Sequence, residues 1–69
     1  MPLSMAKIGT GFTVKKVGGK EEIKNRLEQL GFVAGSPVTV VSAFAGNIIV
    51  KVKDSRVAIS SEMAGEILV

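Results

Sequence analysis

Lys20-Glu-Glu-Ile-Lys-Asn-Arg-Leu-Glu-Gln-Leu-Gly-Phe-Val-Ala-Gly35 is the only stretch of the chain with a clean helical period. Ile23, Leu27 and Leu30 stand at i, i+4 and i+7, on one stripe of a 3.6-residue helix. Charged and amide side chains fill most of the other positions. The spacing predicts a helix over Lys20–Leu30 with Ile23, Leu27 and Leu30 as its buried stripe. Glu21 and Glu22 fall in the first turn, where carboxylates meet the positive end of the helix dipole. Gly31 follows the last stripe residue, where a left-handed cap is wanted and glycine adopts it without a Cβ clash. Phe32 then stands where such a cap makes its apolar contact back onto the last turn. A helix of about three turns is marginal alone in water, so its stripe must pack against a sheet.

Outward from this helix the chain reads as short strands and turns. Leu3 and Met5 suggest a short edge segment lying on the core. Gly9 and Gly11 punctuate a turn. Phe12–Val17 reads as the first strand, with Phe12 and Val14 on one face and a bulge or an end at Val17. Gly18-Gly19 turns the chain into the helix. Downstream, Pro37 lacks an N–H and belongs at a strand start, and Val38–Phe44 is rich in β-branched residues. Ile48–Lys53 sets Ile48, Val50 and Val52 on one face against Ile49, Lys51 and Lys53 on the other. Asp54-Ser55 makes the next turn, and Arg56–Ile59 is a strand with Val57 and Ile59 inward. A short helical turn follows near 61–64, capped by Ser60 or Ser61. Glu66–Val69 closes the chain with Ile67 and Val69 inward. The expected fold class is mainly β: a small five-stranded barrel with one inserted α-helix (about 20–30) between the first two strands.

The register of the central hairpin has two solutions. A two-residue loop sets Val41 opposite Val50. A three-residue loop sets Val40 and Ser42 on the face of Val50. Ala45, Gly46 and Asn47 all suit a turn and favour the longer loop, which would gather Val41, Ala43 and Ile49 on the outer face. Either that face is open to a partner, or the helix covers it and these residues are core.

Sixty-nine residues make one domain, 1–69. A chain of this size buries only about 60% of its unfolded surface, and without cysteine no disulfide staples it. Hydrophobic residues form 46% of it, enough to argue against disorder. Met1–Thr10 has no basic start followed by a long apolar run, so no signal peptide is expected. The longest near-apolar run, Ala43–Val50, falls far short of the ~20 residues of a spanning helix. A soluble protein without direct membrane insertion is expected.

The side chains restrict the chemistry. With no His and no Cys, the usual nucleophile–base pairs are absent. So are the ligands that zinc, copper and iron sites use. Glu62 and Glu66 are four apart, but Gly65 ends the helix between them. No enzyme, cofactor or metal site is expected, and weak transition-metal binding has no His or Cys to support it. Gly9-Thr-Gly11 and Gly18-Gly19-Lys20 lack phosphate-loop spacing and read as turns. A net charge of +3 permits an acidic partner surface. Lys51, Lys53 and Arg56 could form a basic stripe for nucleic acid, with Lys15 and Lys16 on the first strand. Only Phe12, Phe32 and Phe44 could stack on bases, so nucleic acid is the alternative rather than the expected partner. Without Tyr or Trp there is no aromatic groove for proline peptides.

Arg26-Leu-Glu-Gln-Leu-Gly-Phe-Val-Ala-Gly-Ser-Pro-Val38 resembles the L-x-x-L-G-hydrophobic-x-x-G-x-x-hydrophobic signature of the FeoA family, the ferrous iron transport protein A proteins. The ending Val57-Ala-Ile-Ser-Ser-Glu-Met-Ala-Gly-Glu-Ile-Leu-Val69 resembles that family's closing run. Gly9, the Val14–Val17 strand and Gly46 also sit where the pattern expects them. The resemblance spans essentially the whole chain. It implies an SH3-like barrel and a small cytoplasmic protein assisting bacterial ferrous iron uptake. The implied mode of action is contact with the GTPase portion of the FeoB-type membrane transporter. The same barrel ends metal-dependent repressors of the diphtheria-toxin-repressor type, which makes a metal-responsive regulatory domain another alternative. Transition-metal binding is credited to the family, and the missing His and Cys argue against it here.

The candidate contact surface therefore combines the elbow residues Leu30, Gly31, Phe32 and Gly35 with apolar strand residues Val41, Ala43, Ile49 and Leu68, flanked by Lys51 and Lys53. Self-association through the same wall is a second use of it, since a sheet this small gains by burying its outer face.

Overall fold

The computed structural model describes all residues, 1–69. Six strands and two helices follow one another: β1 (Gly11–Thr13), β2 (Lys16–Val17), α1 (Glu21–Leu30), β3 (Pro37–Phe44), β4 (Asn47–Val52), β5 (Ser55–Ser60), α2 (Ser61–Ala64) and β6 (Ile67–Leu68). A four-stranded sheet runs β1-β3-β4-β5, and β2 pairs with β6 in a second, two-stranded sheet. All pairings are antiparallel. The mainly β barrel with an inserted helix is the architecture expected, with one change of count. The predicted first strand is two strands, because the chain leaves β3 after Thr13 and joins β6 from Lys16.

The elbow forms as the sequence predicts. Gly31 has φ 107° in the left-handed region, its N–H bonds the carbonyl of Glu28, and the Phe32 N–H bonds that of Leu27, both at 3.0 Å. These two bonds are the Schellman pattern, which satisfies carbonyls that the last helical turn leaves open. Phe32 is thereby thrown inward and is wholly buried, as is Leu27. The stripe is shorter than predicted. Ile23 is half-buried, and Leu30 is 37% exposed. Gly31 reverses the chain at once, and at this end it is Phe32, not Leu30, that is wholly buried.

Helix α1 meets α2 near its start, where Glu22, Ile23 and Arg26 line a cleft with Met63. Its exit lies on the β4–β5 turn, since a Cβ added at Gly31 would come within 3.4 Å of Val52 and 3.6 Å of Lys53. The helix thus starts beside α2 and ends at the β4–β5 turn. Fourteen apolar residues form the core, with no polar or charged residue among them. Leu3 belongs to it, but as part of a 3-10 turn over Leu3–Met5, not an extended edge segment, and Met5 is exposed.

The central hairpin corrects the loop and keeps part of the register. Phe44 pairs with Asn47, so the turn is the two residues Ala45-Gly46, not three. Both have positive φ, 51° and 78°, the backbone of a type I′ turn, whose twist matches the flanking strands. Val40 nevertheless faces Val50, because Val41 is an extra residue between the Val40–Val50 and Ser42–Ile49 pairs. This β-bulge shifts the register by the one residue that the longer loop would have supplied. Beyond the bulge Ser42 shares the face of Ile49, and Ala43 lies opposite Ile48. Val41, Ala43 and Ile49 are thus not one patch. The next turn also moves by one residue: Val52 pairs with Ser55, so Lys53-Asp54 forms it, with Lys53 at φ 56°.

Downstream, Ser60 caps α2, its Oγ accepting from the Met63 N–H at 3.1 Å. Ile67 and Val69 are buried as expected, and Val69 exchanges backbone bonds with Met1.

Two stability outcomes follow. Leu27→Ala costs about 2–5 kcal/mol in urea unfolding, whereas Leu30→Ala costs under about 1 kcal/mol because its side chain leaves no cavity. Ala45→Asn raises the melting temperature, since Asn tolerates the left-handed backbone that Ala adopts here under strain.

Candidate partner-docking surface

Strict alternation along β4 sends Ile48, Val50 and Val52 to the core and leaves Asn47, Ile49 and Lys51 on the outer wall. The pairing then builds three rows across that wall. Thr39, Lys51 and Arg56 make one, Ser42, Ile49 and Ala58 the next, and Phe44, Asn47 and Ser60 the third. Phe44 is 77% exposed, the most exposed large apolar side chain in the chain. Ala58, Lys51 and Arg56 are exposed, and Ile49 is half-buried. Helix α1 does not cover this wall. The exposed wall is thus built from other residues than the expected Val41, Ala43 and Ile49 patch, of which only Ile49 stands on it.

Lys51 and Arg56 are directly opposite each other on neighbouring strands. Like charges in that relation repel and destabilise a sheet, by roughly 0.2–1 kcal/mol. An apolar row beside a repelling cationic pair is chemically suited to a surface that is apolar and acidic.

The predicted contact residues separate into groups. Ile49 and Lys51 stand on this wall. Val41 is the half-buried bulge, and Ala43 is exposed on the opposite face of β3. Lys53 is exposed in the turn rather than on the strand. Leu30 and Gly35 are exposed at the elbow, while Gly31 and Phe32 are buried and hold it in shape. Leu68 is 37% exposed on the two-stranded sheet. Phe44, Ala58 and Arg56 complete the wall, and none of them was among the predicted contact residues. The signal for Phe44 is its place just before Ala45-Gly46: a two-residue turn pairs it with Asn47, on the outer face with Ile49. The predicted basic stripe is reduced to Lys51 and Arg56, with Lys53 at the turn beyond. Lys16 belongs to the two-stranded sheet.

No three carboxylates approach one another to form a metal-binding group, and the chain has no His or Cys. This donor set does not suit zinc or ferrous iron. No helix is long and apolar enough to cross a membrane.

The same fold occurs in solved structures. The crystal structure of an iron uptake regulatory protein (FeoA) is 26% identical to this chain, covers 97% of it and 91% of its own length, and has a TM-score of 0.89. Stenotrophomonas maltophilia FeoA, solved with zinc, is described as a prokaryotic SH3 domain protein and a candidate bacterial ferrous iron transport activating factor. It is 28% identical, covers 99% of this chain and 87% of its own, and has a TM-score of 0.87. A manganese-dependent transcriptional repressor, at 23% identity and TM-score 0.88 over 97% of this chain and 39% of that one, shares the fold alone. No curated protein matches. The family model of the FeoA domain matches residues 1–69, the glycine elbow and the closing strand included, and the chain therefore belongs to the FeoA domain family.

Proposed function

We propose that this chain is a non-enzymatic, cytoplasmic accessory protein of bacterial ferrous iron uptake. It acts by docking on the cytoplasmic GTPase portion of a FeoB-type membrane transporter. Family membership supports the pathway, and the relatives described as an iron uptake regulatory protein and a ferrous iron transport activating factor support an accessory role. The observation that carries the docking mode is the open wall of Phe44, Ile49 and Ala58 beside the repelling Lys51–Arg56 pair.

A destabilising pair kept beside exposed apolar groups is explained by a partner that supplies what the pair lacks. A carboxylate placed between Lys51 and Arg56 removes the repulsion and gains two charge-assisted contacts. Phe44 and Ile49 bury apolar area at the same contact, at about 25 cal/mol per Å² before the losses of association are counted. The surface acts by binding, and nothing in it calls for a reacting group.

The test exploits opposite signs. Arg56→Glu replaces a repelling pair with an attracting one and raises the melting temperature slightly, yet it weakens capture of a FeoB-type GTPase domain about tenfold. Ile49→Glu also weakens capture, with the fold retained. If both variants bind as the parent does, the wall is not the docking surface. If the parent captures no GTPase domain, the transporter reading fails.

A further inference from the structure

A second feature lies on another edge of the fold. β1 is an outermost strand of the four-stranded sheet. Val14, just beyond it, donates to the Ser36 carbonyl at 2.9 Å and accepts from the Gly35 N–H at 2.8 Å. Antiparallel alternation from that point makes Phe12 and Val38 the next bonded pair. Gly11 and Thr13, opposite Thr39 and Pro37, then fall at non-bonded positions. Pro37 has no N–H, which agrees with that phase. The N–H and C=O groups of Gly11 and Thr13 therefore point away from β3, and neither residue takes part in a backbone bond outside the β1–β3 ladder. Both are exposed. Both residues also line the larger cleft of the molecule, about 640 Å³, with Phe12, Lys15, Val69 and the β3 residues Pro37, Val38 and Thr39.

Unpaired backbone along an edge is a template for another strand. The charge around it selects which strand. Met1–Lys20 contains Lys7, Lys15, Lys16 and Lys20 and no Asp or Glu. Lys15 lies in the cleft wall, and no acidic side chain does. A second copy of this chain is a poor occupant. Antiparallel addition of β1 to β1, centred on Phe12, would bring Lys15 and Lys16 of one copy towards Lys7 of the other.

We propose that the free edge of β1 is a strand-addition site for an extended, acidic polypeptide segment, which pairs with Gly11 and Thr13 and sets a carboxylate against Lys15. The backbone supplies the pairing, the half-buried ring of Phe12 an apolar floor, and Lys15 the preference for an anionic side chain. Gly11 pairs with Thr39, so this edge adjoins the first row of the outer wall, but the proposal rests on the backbone of β1 and on Lys15 and not on the transporter reading.

The probe is an acetylated and amidated hexapeptide of alternating Glu and Val, compared with its Lys-Val counterpart and with a short oligothymidylate. Amide hydrogen exchange is followed by NMR on the full chain. The Glu-Val peptide is expected to slow exchange at Gly11 and Thr13, while the Lys-Val peptide leaves it unchanged. Lys15→Glu is expected to weaken the peptide about fivefold, the scale of one exposed ion pair. Thr13→Pro removes an N–H that the ladder does not use and is expected to abolish binding. Should Thr13→Pro fail to fold, Lys15→Glu decides. Unchanged exchange at Gly11 and Thr13, equal binding by the Lys-Val peptide, or tighter binding by the oligothymidylate overturns the proposal. So does a dimer that protects the same amides without peptide.

Discussion

Two backbone hydrogen bonds at the end of α1, from Gly31 to Glu28 and from Phe32 to Leu27, set the path by which the chain leaves the helix and enters the core. They end the helix, reverse the chain and set Phe32 in the core in one step. The left-handed backbone at Gly31 makes this available only to glycine at low cost. A chain with no cysteine to form a disulfide relies on such local devices. Its core is wholly apolar, so each buried side chain matters, and the elbow fixes the largest of them.

The elbow was legible in the sequence because its chemistry is local. A stripe, a glycine and an aromatic residue at fixed spacing have one common solution. The central hairpin was less legible for a definite reason. A three-residue loop and a two-residue turn with a bulge displace the far end of the strand by the same single residue. Period-2 alternation therefore placed Val40 against Val50 correctly without revealing where the extra residue sits. The bulge at Val41 leaves no signature among β-branched neighbours. It reverses the faces of everything between it and the turn, so unbroken alternation puts Ala43 rather than Phe44 on the outer wall. The turn at Lys53 was displaced for a related reason. Lysine in the left-handed region is atypical, and the neighbouring Asp54 and Ser55 are stronger turn residues.

Leu30 shows the limit of periodicity in a short helix. It shares the stripe of Ile23 and Leu27, but a stripe records only direction. Whether a residue on it is buried depends on how far the supporting surface reaches. Here α1 starts beside α2 and ends at the β4–β5 turn, and the wholly buried residue at that end is Phe32, just past Gly31. The outer wall, by contrast, could be read in part. Ile49 and Lys51 follow from the alternation of β4 alone, whereas Arg56 and Ala58 needed the register of β5, which no local pattern states.

Both proposed surfaces have their basis in the small size of the fold. A barrel of this size cannot bury every apolar strand residue or pair every strand edge. The usual response is to keep edges short and to charge them with lysine, which discourages copies of the same chain from adding on. The three-residue β1 with Lys7, Lys15 and Lys16 around it meets that description. The same charges that exclude a second basic copy leave the edge receptive to an acidic strand, so protection against aggregation and choice of partner come from one arrangement. On the outer wall the cations are placed differently. Lys51 and Arg56 gain nothing from facing each other, and sheet stability alone would favour a neutral or opposite pair. That cost, one row from Ile49 and two rows from the exposed Phe44, is the feature on which the proposed anionic contact rests.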